Sequence, residues 1–216
     1  MIKENYQAQT LIRPTDPVIV LKNEGKTTIL YSPTFSRGIT SVEALYDTIH
    51  QIAERRDWEW IITFHPKITD HSIINKYQKL AEKFDNVSFE RNEGLKTFQR
   101  ADVMLCDSSS IILEFMLLSK PVVTFKNTNP GPHLIDVNEC DAVEPALETA
   151  LTRPKSLMEA IDTYTLNHEA HRDGNNCSRV LDAVDHFKSN FEGRIKAKPL
   201  NLWRKFRLRN KLKYWK

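Results

Sequence analysis

Short apolar segments alternate with segments of helical periodicity between residues 27 and 125, and this alternation constrains the fold more than any other feature of the chain. The apolar segments are residues 27–32, 58–65, 86–90, 102–106 and 121–125. The segments with helical spacing are residues 41–56, 71–84, 94–100 and 110–118. Strands that are continuous apolar runs are typical of a parallel sheet covered on both faces. The sequence therefore predicts an α/β fold, a Rossmann-like doubly wound parallel sheet of about five strands.

The length of 216 residues suits one α/β domain with appendages and is short for two full domains. Pro14 and Pro17 break any helix in residues 1–26, which we expect to be a linker. Residues 27–191 are predicted to form the Rossmann-like domain, in which Ser41 suits the N-cap of the first helix. Extra helices near residues 141–151, 157–168 and 176–191 are expected to pack against one edge of the sheet. Residues 192–216 form a basic, aromatic tail.

The net charge of +3 hides a strong asymmetry along the chain. Ten of the 31 Lys and Arg residues follow Glu192, whereas none of the 28 Asp and Glu residues does, so residues 1–193 carry a net charge of −7. A protein whose folded body binds nucleic acid broadly would carry its positive charge on that body. The charge distribution therefore makes nucleic acid an unlikely partner.

The cysteines, Cys106, Cys140 and Cys177, are widely spaced and form no CxxC motif or Cys/His cluster. The sequence thus encodes neither a disulfide framework nor a zinc site, and a reducing cytosol fits it best. No segment has the order of a signal peptide, and no apolar run approaches the roughly 20 residues of a membrane span. We therefore expect a protein that is neither exported nor transmembrane.

Polar residues cluster where three of the predicted strands end. These clusters are residues 33–38 with Thr34 and Arg37, residues 65–67 with His65, and residues 107–110 with Ser108, Ser109 and Ser110. Ligands of open parallel sheets bind beyond the carboxyl ends of the strands, so the three clusters are expected to form one site.

The three serines stand at the first turn of a predicted helix, where hydroxyls, backbone N–H groups and the helix dipole favour an anion such as phosphate. The alternative is that they only cap the helix. Glu114 is the only charge in that helix and is placed to accept hydrogen bonds from ribose hydroxyls, or else it lies on an ordinary exposed face.

His65 precedes Pro66, which favours extended backbone and presents the ring at the edge of the sheet. The imidazole could hydrogen-bond a diphosphate or transfer a proton, although a lone histidine is more often structural. Thr34 and Arg37 could bind phosphate, with the guanidinium acting as a bidentate donor, or could simply belong to a connection.

Five strings carry a family resemblance by their order and spacing: ILYSPTF, ITFHP, ADVMLCDSSSIILEF, KPVV and RDGNNCSRVLDAV. Over residues 27–187 the chain resembles the CDP-glycerol glycerophosphotransferases, the teichoic-acid-type polymerases and primases. The resemblance implies the C-terminal, CDP-binding domain of a GT-B fold. By it, His65 is a catalytic histidine, Ser109 and Ser110 lie near the donor phosphates, and Glu114 occupies an acidic position.

The resemblance also implies a set of partners and a location. The donor is CDP-glycerol or a related nucleotide, the acceptor is a lipid-linked or surface glycan, and no cofactor or protein-bound metal is expected. The family's N-terminal domain has no counterpart in these residues. We therefore expect a separately encoded N-terminal-domain partner, a gene fragment, or a segment of a longer protein.

The tail interleaves aromatic and Leu residues with Lys and Arg in the string NLWRKFRLRNKLKYWK. This composition suits contact with an anionic membrane surface and predicts a cytoplasmic protein that is peripheral on the inner face of the cell membrane. Leu202, Trp203, Phe206 and Tyr214 are expected on one side of a helix, and Leu208, Leu212 and Trp215 on another. A solvated tail and an RNA-binding tail are the alternatives.

Three functions are therefore consistent with the sequence. The first is a CDP-glycerol glycerophosphotransferase-like enzyme that moves glycerol phosphate, or a similar polyol phosphate, to a membrane-associated glycan. The second is a GT-B glycosyltransferase or a relative of the UDP-sugar epimerases, which share the arrangement of Asp, Ser and a later Glu. The third is a non-catalytic nucleotide-binding subunit that needs a partner domain.

Overall fold

The computed structural model describes residues 25–90, 94–169, 171, 173–191, 193–194 and 199–215. Two compact units divide the chain, Met1–Arg172 and Asp173–Lys216. The linker predicted at residues 1–26 lies outside the described residues except for its last two positions. The predicted domain boundaries therefore stay predictions.

The first unit is built on one sheet of parallel strands. The strands are β1 (Thr28–Tyr31), β2 (Glu59–Thr63), β3 (Val87–Glu90), β4 (Val103–Cys106), β5 (Val122–Phe125) and β6 (Ile135–Val137). The helices are α1 (Tyr46–Arg55), α2 (His71–Lys83), α3 (Leu95–Arg100), α4 (Ile111–Met116), α5 (Val143–Leu151) and α6 (Lys155–His168). The strand order is β3-β2-β1-β4-β5-β6, and every pairing is parallel. The predicted doubly wound α/β fold is confirmed.

Successive residues of the central strands enter different hydrophobic clusters, which explains why those strands are continuous apolar runs. Ile29 and Tyr31 of β1 pack in a cluster with residues of α1, α2 and α5. Leu30, between them, packs in a second cluster with residues of α3, α4 and α6. All three side chains are fully buried. Because both faces of the sheet are covered, polar side chains can reach solvent mainly at the ends of the strands.

Two elements differ from the sequence prediction. Residues 135–137, where the sequence predicts no strand, form β6, so the sheet in the described part of the chain has six strands rather than about five. Asp136 directs this segment, because its carboxylate accepts hydrogen bonds from Thr124 Oγ1 at 2.7 Å and Asn127 N at 2.9 Å. Helix α1 begins at Tyr46 rather than directly after Ser41, because the Ser41 hydroxyl donates to the Asp107 carboxylate and does not cap the helix.

Asp107 joins two loops at the switch point of the sheet, where the strand order changes direction. Strands β1, β2 and β3 extend the sheet in one direction, and β4, β5 and β6 extend it in the other, so β1 and β4 are neighbours at the switch point. Asp107 follows β4 and is fully buried. Its carboxylate accepts hydrogen bonds from Thr34 N at 2.8 Å, Ser41 N at 2.9 Å and Ser41 Oγ at 3.0 Å.

These bonds fix the segment after β1, residues 32–45, which we call the β1 loop. Burial raises the pKa of the Asp107 carboxyl above its usual value, and the hydrogen bonds from Ser41 and Thr34 oppose that rise. A buried carboxylate is tolerated only when its oxygens are paired, and here both are. The β1 loop therefore depends on Asp107 for its position.

The second unit contains two helices, α7 (Asn176–Phe191) and α8 (Leu202–Leu212). Helix α7 has the bounds expected from its periodicity. Of the helices in the described part of the chain, none is long and apolar enough to cross a membrane.

The substitution Asp107→Asn tests the role of this carboxylate. One amide oxygen can still accept from Thr34 N, but the amide NH₂ then faces the N–H donor of Ser41. We expect the free energy of unfolding to fall by about 2–4 kcal/mol, measured by urea denaturation. Asp102→Asn is the matched control, because among the described residues the Asp102 carboxylate accepts one backbone N–H, from Thr28 at 2.8 Å, and an amide oxygen can replace it. Equal decreases in the free energy of unfolding for the two variants would contradict the role assigned to the Asp107 carboxylate.

Candidate functional site

The loops that follow β1, β4 and β5 are joined by hydrogen bonds at the carboxyl edge of the sheet. The β1 loop bonds to Asp107 through Thr34 and Ser41. The loop after β5 bonds to the same residue, because Asn127 Nδ2 donates to the Asp107 carbonyl at 2.6 Å. One buried residue thus connects three loops, and the polar clusters predicted to meet do lie along this edge.

Ser108 takes part in the same network. Its hydroxyl oxygen accepts a hydrogen bond from Thr128 N at 2.8 Å, which ties it to the loop after β5. The hydroxyl hydrogen remains available to another acceptor. The geometry gives Ser108 a structural contact, and its predicted contact with a donor phosphate stays a prediction.

Ser109 and Ser110 differ from Ser108, because their hydroxyls make no hydrogen bond to any residue between 25 and 169 that the structure describes. Ser109 is half-buried and Ser110 is exposed. Ser110 occupies the N-cap position of α4, but its backbone is helical (φ −66°, ψ −20°) and its side chain forms no capping bond. The alternative that Ser110 serves as a side-chain cap is therefore wrong, and its hydroxyl is free to bind a ligand.

Glu114 lies on α4, one turn after Ser110, and its side chain is exposed. It forms no ion pair with the described residues. A carboxylate at this place can accept hydrogen bonds from sugar hydroxyls, and it can equally be an ordinary exposed residue. Its predicted role in ribose binding stays a prediction.

His65 lies two residues beyond β2 and is exposed. Its ring packs against Phe35 of the β1 loop with the ring centroids 4.4 Å apart. His65 Nδ1 accepts a hydrogen bond from Lys67 N at 3.0 Å, so the neutral ring carries its proton on Nε2. The Phe35 contact places His65 beside the β1 loop, whereas no hydrogen bond in the described residues joins His65 to the serines.

Thr34 and Arg37 occupy different environments within the β1 loop. Thr34 is buried, its N–H is used by Asp107, and its Oγ1 lies 3.5 Å from Ser36 N. Arg37 is exposed at a turn that Gly38 closes with a φ of 85°, and it forms no ion pair with the described residues. Arg37 is thus placed to bind an anion, whereas the backbone of Thr34 positions the loop.

A cleft of about 510 Å³ separates the β1 loop from the segment after β2. Arg37 and Lys67 line it, and the Lys67 ammonium lies 4.7 Å from the centroid of the Phe35 ring. Glu43 and Asp70 also line the cleft, so it is polar and carries side chains of both charges, of which Arg37 and Lys67 can bind an anion.

Two other depressions, of about 560 and 760 Å³, lie away from the carboxyl edge. The two basic residues that line both of them, Arg55 and Arg56, pair with carboxylates; Arg55 bonds Glu144 at 2.7 Å and Arg56 bonds the same side chain at 2.5 Å. Ion pairs between the α1 and α5 segments therefore neutralise these charges. Although these depressions are larger, the carboxyl edge of the sheet remains the better candidate for the functional site.

Sequence reasoning missed two residues that shape the site. Ser41 was assigned to a helix cap, but its hydroxyl lies 3.0 Å from Asp107 and 2.9 Å from Tyr31. Phe35 is not among the predicted site residues, although its ring contacts both His65 and Lys67. Asp107 is the residue from which this role of Ser41 could be predicted, because a carboxylate directly after a buried strand needs hydrogen-bond donors nearby.

The tautomer of His65 can be measured directly. We expect the neutral ring to have an unprotonated Nδ1, seen in the ¹⁵N chemical shifts of a long-range ¹H–¹⁵N correlation spectrum. His168 serves as an internal control, because its Nδ1 lies 2.8 Å from the Tyr164 carbonyl oxygen and must donate. The two histidines should show opposite tautomers. A proton on Nδ1 of His65 would contradict the assigned hydrogen bond from Lys67.

Comparison with known proteins identifies the family. The model of the family described as UDP-N-acetylglucosamine 2-epimerase matches residues 5–185. No curated protein matches the chain by sequence. Among solved structures, MnaA of S. aureus with UDP is 21% identical with a TM-score of 0.52, covering 81% of this chain and 48% of its own. A putative UDP-N-acetylglucosamine 2-epimerase of Listeria monocytogenes is 18% identical with a TM-score of 0.52 and the same coverages, 81% and 48%.

The UDP-GlcNAc 2-epimerase of Methanocaldococcus jannaschii, solved with UDP-GlcNAc and UDP, is 19% identical with a TM-score of 0.50, covering 68% of this chain and 50% of its own. This chain thus spans about half the length of these structures. At these identities the likeness establishes the fold, a Rossmann-like domain of the GT-B type. The match agrees with our second interpretation, an epimerase relative, and does not show CDP-glycerol transfer. Because the matched residues make up most of the sequence, the chain belongs to the UDP-N-acetylglucosamine 2-epimerase family.

Proposed function

We propose that this chain binds the nucleoside diphosphate of a UDP-sugar at the carboxyl edge of its sheet, as the donor-binding half of an epimerase-type enzyme. The observation that carries the proposal is that the hydroxyls of Ser109 and Ser110 have no hydrogen-bond partner among the described residues and lie beside the loops that Asp107 fixes. The family membership supports the choice of a UDP-sugar.

The phosphates are the part of the ligand that these residues suit best. The hydroxyls of Ser109 and Ser110 can each donate to a phosphate oxygen, and His65 can donate from Nε2 because Nδ1 is already used. Arg37 and Lys67 line the adjacent cleft and supply positive charge. Charge-assisted hydrogen bonds to a phosphate are roughly twice as strong as neutral ones, so these contacts dominate the affinity.

The remaining polar groups suit the rest of a nucleotide sugar. Glu114 can accept from the ribose hydroxyls, one turn from the serines. His65 is the side chain best placed to transfer a proton, since it is exposed at the edge beside the β1 loop.

The CDP-glycerol interpretation uses the same phosphate contacts and differs in the base and in the group transferred. Family membership favours uridine, so we place UDP first and CDP second. Under either reading a second, N-terminal domain completes the site, because the chain spans about half of the structures it matches. Turnover is therefore expected to require that domain, whereas nucleotide binding is not.

Binding of UDP, CDP and GDP to the full chain, measured by isothermal titration calorimetry, tests the proposal. We expect UDP to bind most tightly and Ser109→Ala/Ser110→Ala to weaken it by roughly tenfold or more for each hydroxyl lost. Ser156→Ala is the control, since Ser156 is an exposed serine on α6, and its affinity should equal that of the wild type.

Tighter binding of CDP than of UDP would replace the proposal with the CDP-glycerol interpretation. Unchanged affinity in the double variant would remove the serines from the site. No binding of any nucleotide by a folded chain would overturn the proposal itself.

A further inference from the structure

Helix α8 of the second unit differs in composition from the other helices. Its eleven residues include five Lys or Arg and no Asp or Glu. The basic side chains are exposed, and they are Arg204, Lys205, Arg207, Arg209 and Lys211. Such a helix carries a local charge of opposite sign to the acidic remainder of the chain.

Three of the four aromatic residues in residues 199–215 form one continuous patch. Trp203 and Phe206 stack with ring centroids 5.9 Å apart, and Trp215 meets Phe206 edge-on at 5.6 Å. We call Trp203, Phe206 and Trp215 the aromatic patch. Sequence periodicity predicts Trp203 and Trp215 on different sides of a helix, and that prediction is wrong, because both rings contact Phe206.

The position of Trp215 has a local cause at the C-terminus of α8. Helix α8 ends at Leu212, and Lys213 adopts the left-handed conformation with a φ of 51°. Tyr214 N then donates to the Arg209 carbonyl at 3.0 Å, which closes a helix C-cap. The chain therefore reverses after the helix, and Trp215 returns onto Phe206 instead of continuing the helical path.

The aromatic patch is open to solvent. Trp203, Phe206 and Trp215 are 74%, 50% and 58% exposed, and Leu202 beside them is 66% exposed. At 100° per residue, Leu202, Trp203 and Phe206 fall within a sector of about 100°, with Lys205 and Arg209 along one border and Arg207 along the other. Exposed apolar side chains concentrated in this way mark an interaction surface.

We propose that α8 and its C-terminal turn dock on an anionic lipid surface, with the aromatic patch in the headgroup region and the flanking basic side chains on the lipid phosphates. Trp residues favour the membrane interface because one part of the indole ring is apolar and its N–H is polar. Each Lys or Arg near an anionic leaflet raises the partition coefficient by about fivefold.

A lipid surface suits the segment better than a nucleic acid. Stacking on bases would use the aromatic rings and the basic side chains, but it gives no role to the exposed aliphatic residues. Leu202, beside the aromatic patch, is 66% exposed, and an acyl-chain boundary can bury it together with the aromatic rings. The proposal is also independent of the nucleotide site, which lies in the first unit.

Co-sedimentation of the full chain with vesicles tests the proposal. We expect binding to vesicles of equimolar phosphatidylglycerol and phosphatidylcholine, little binding to phosphatidylcholine alone, and loss of binding at high salt. Lys205→Gln/Arg209→Gln should lower the partition coefficient by about 25-fold. Lys79→Gln/Lys188→Gln is the matched control, because it removes the same charge from exposed positions outside α8 and should bind like the wild type.

Tryptophan fluorescence follows the aromatic patch separately. Adding the anionic vesicles should shift the emission to shorter wavelength, and Trp203→Ala/Trp215→Ala should remove the shift while leaving the circular dichroism spectrum of the chain unchanged. Equal loss of binding in the control and in the α8 charge variant would reduce the effect to net charge and overturn the proposal. Binding to single-stranded RNA without binding to vesicles, or binding to neither, would overturn it as well.

Discussion

The buried carboxylate of Asp107 is the interaction on which the candidate site depends. Removing a carboxylate from water costs several kcal/mol unless its oxygens are paired, and here two backbone N–H groups and one hydroxyl supply that pairing. The donors belong to the loop after β1, whereas the carboxylate follows β4. The switch point of the sheet is thereby held in one arrangement before any ligand arrives, which lowers the cost of ordering the loops on binding.

Local sequence patterns predicted most of the fold, because short apolar runs and the helical spacing of apolar residues mark the side chains that become buried. Strand β6 was missed because it has three half-buried residues and follows a loop rich in Pro and Gly. The start of α1 was misplaced because Ser41 satisfies Asp107, a contact 66 residues away in sequence that no local pattern reveals. The edge that carries the site was predictable from topology, whereas the pairing of particular side chains within it was not.

The distribution of charge gives the two units different chemistry. In its described residues, the first unit offers hydroxyls without a hydrogen-bond partner and basic side chains without an ion pair at one edge of a covered sheet, which suits a small anionic ligand. In the second unit, α8 and its C-terminal turn expose basic and aromatic side chains, which suits an extended anionic surface.

The central claim is that the carboxyl edge of the sheet, at the switch point, binds a nucleoside diphosphate. A titration of the ¹⁵N-labelled chain with UDP, followed by ¹H–¹⁵N correlation spectra, tests it most directly. The account predicts shift changes concentrated at the amides of residues 34–41, 65–70 and 108–112, with little change at Lys26, Asp57 and Asn86 near the opposite edge. Changes centred on that opposite edge, or saturating UDP with no changes at all, would contradict it.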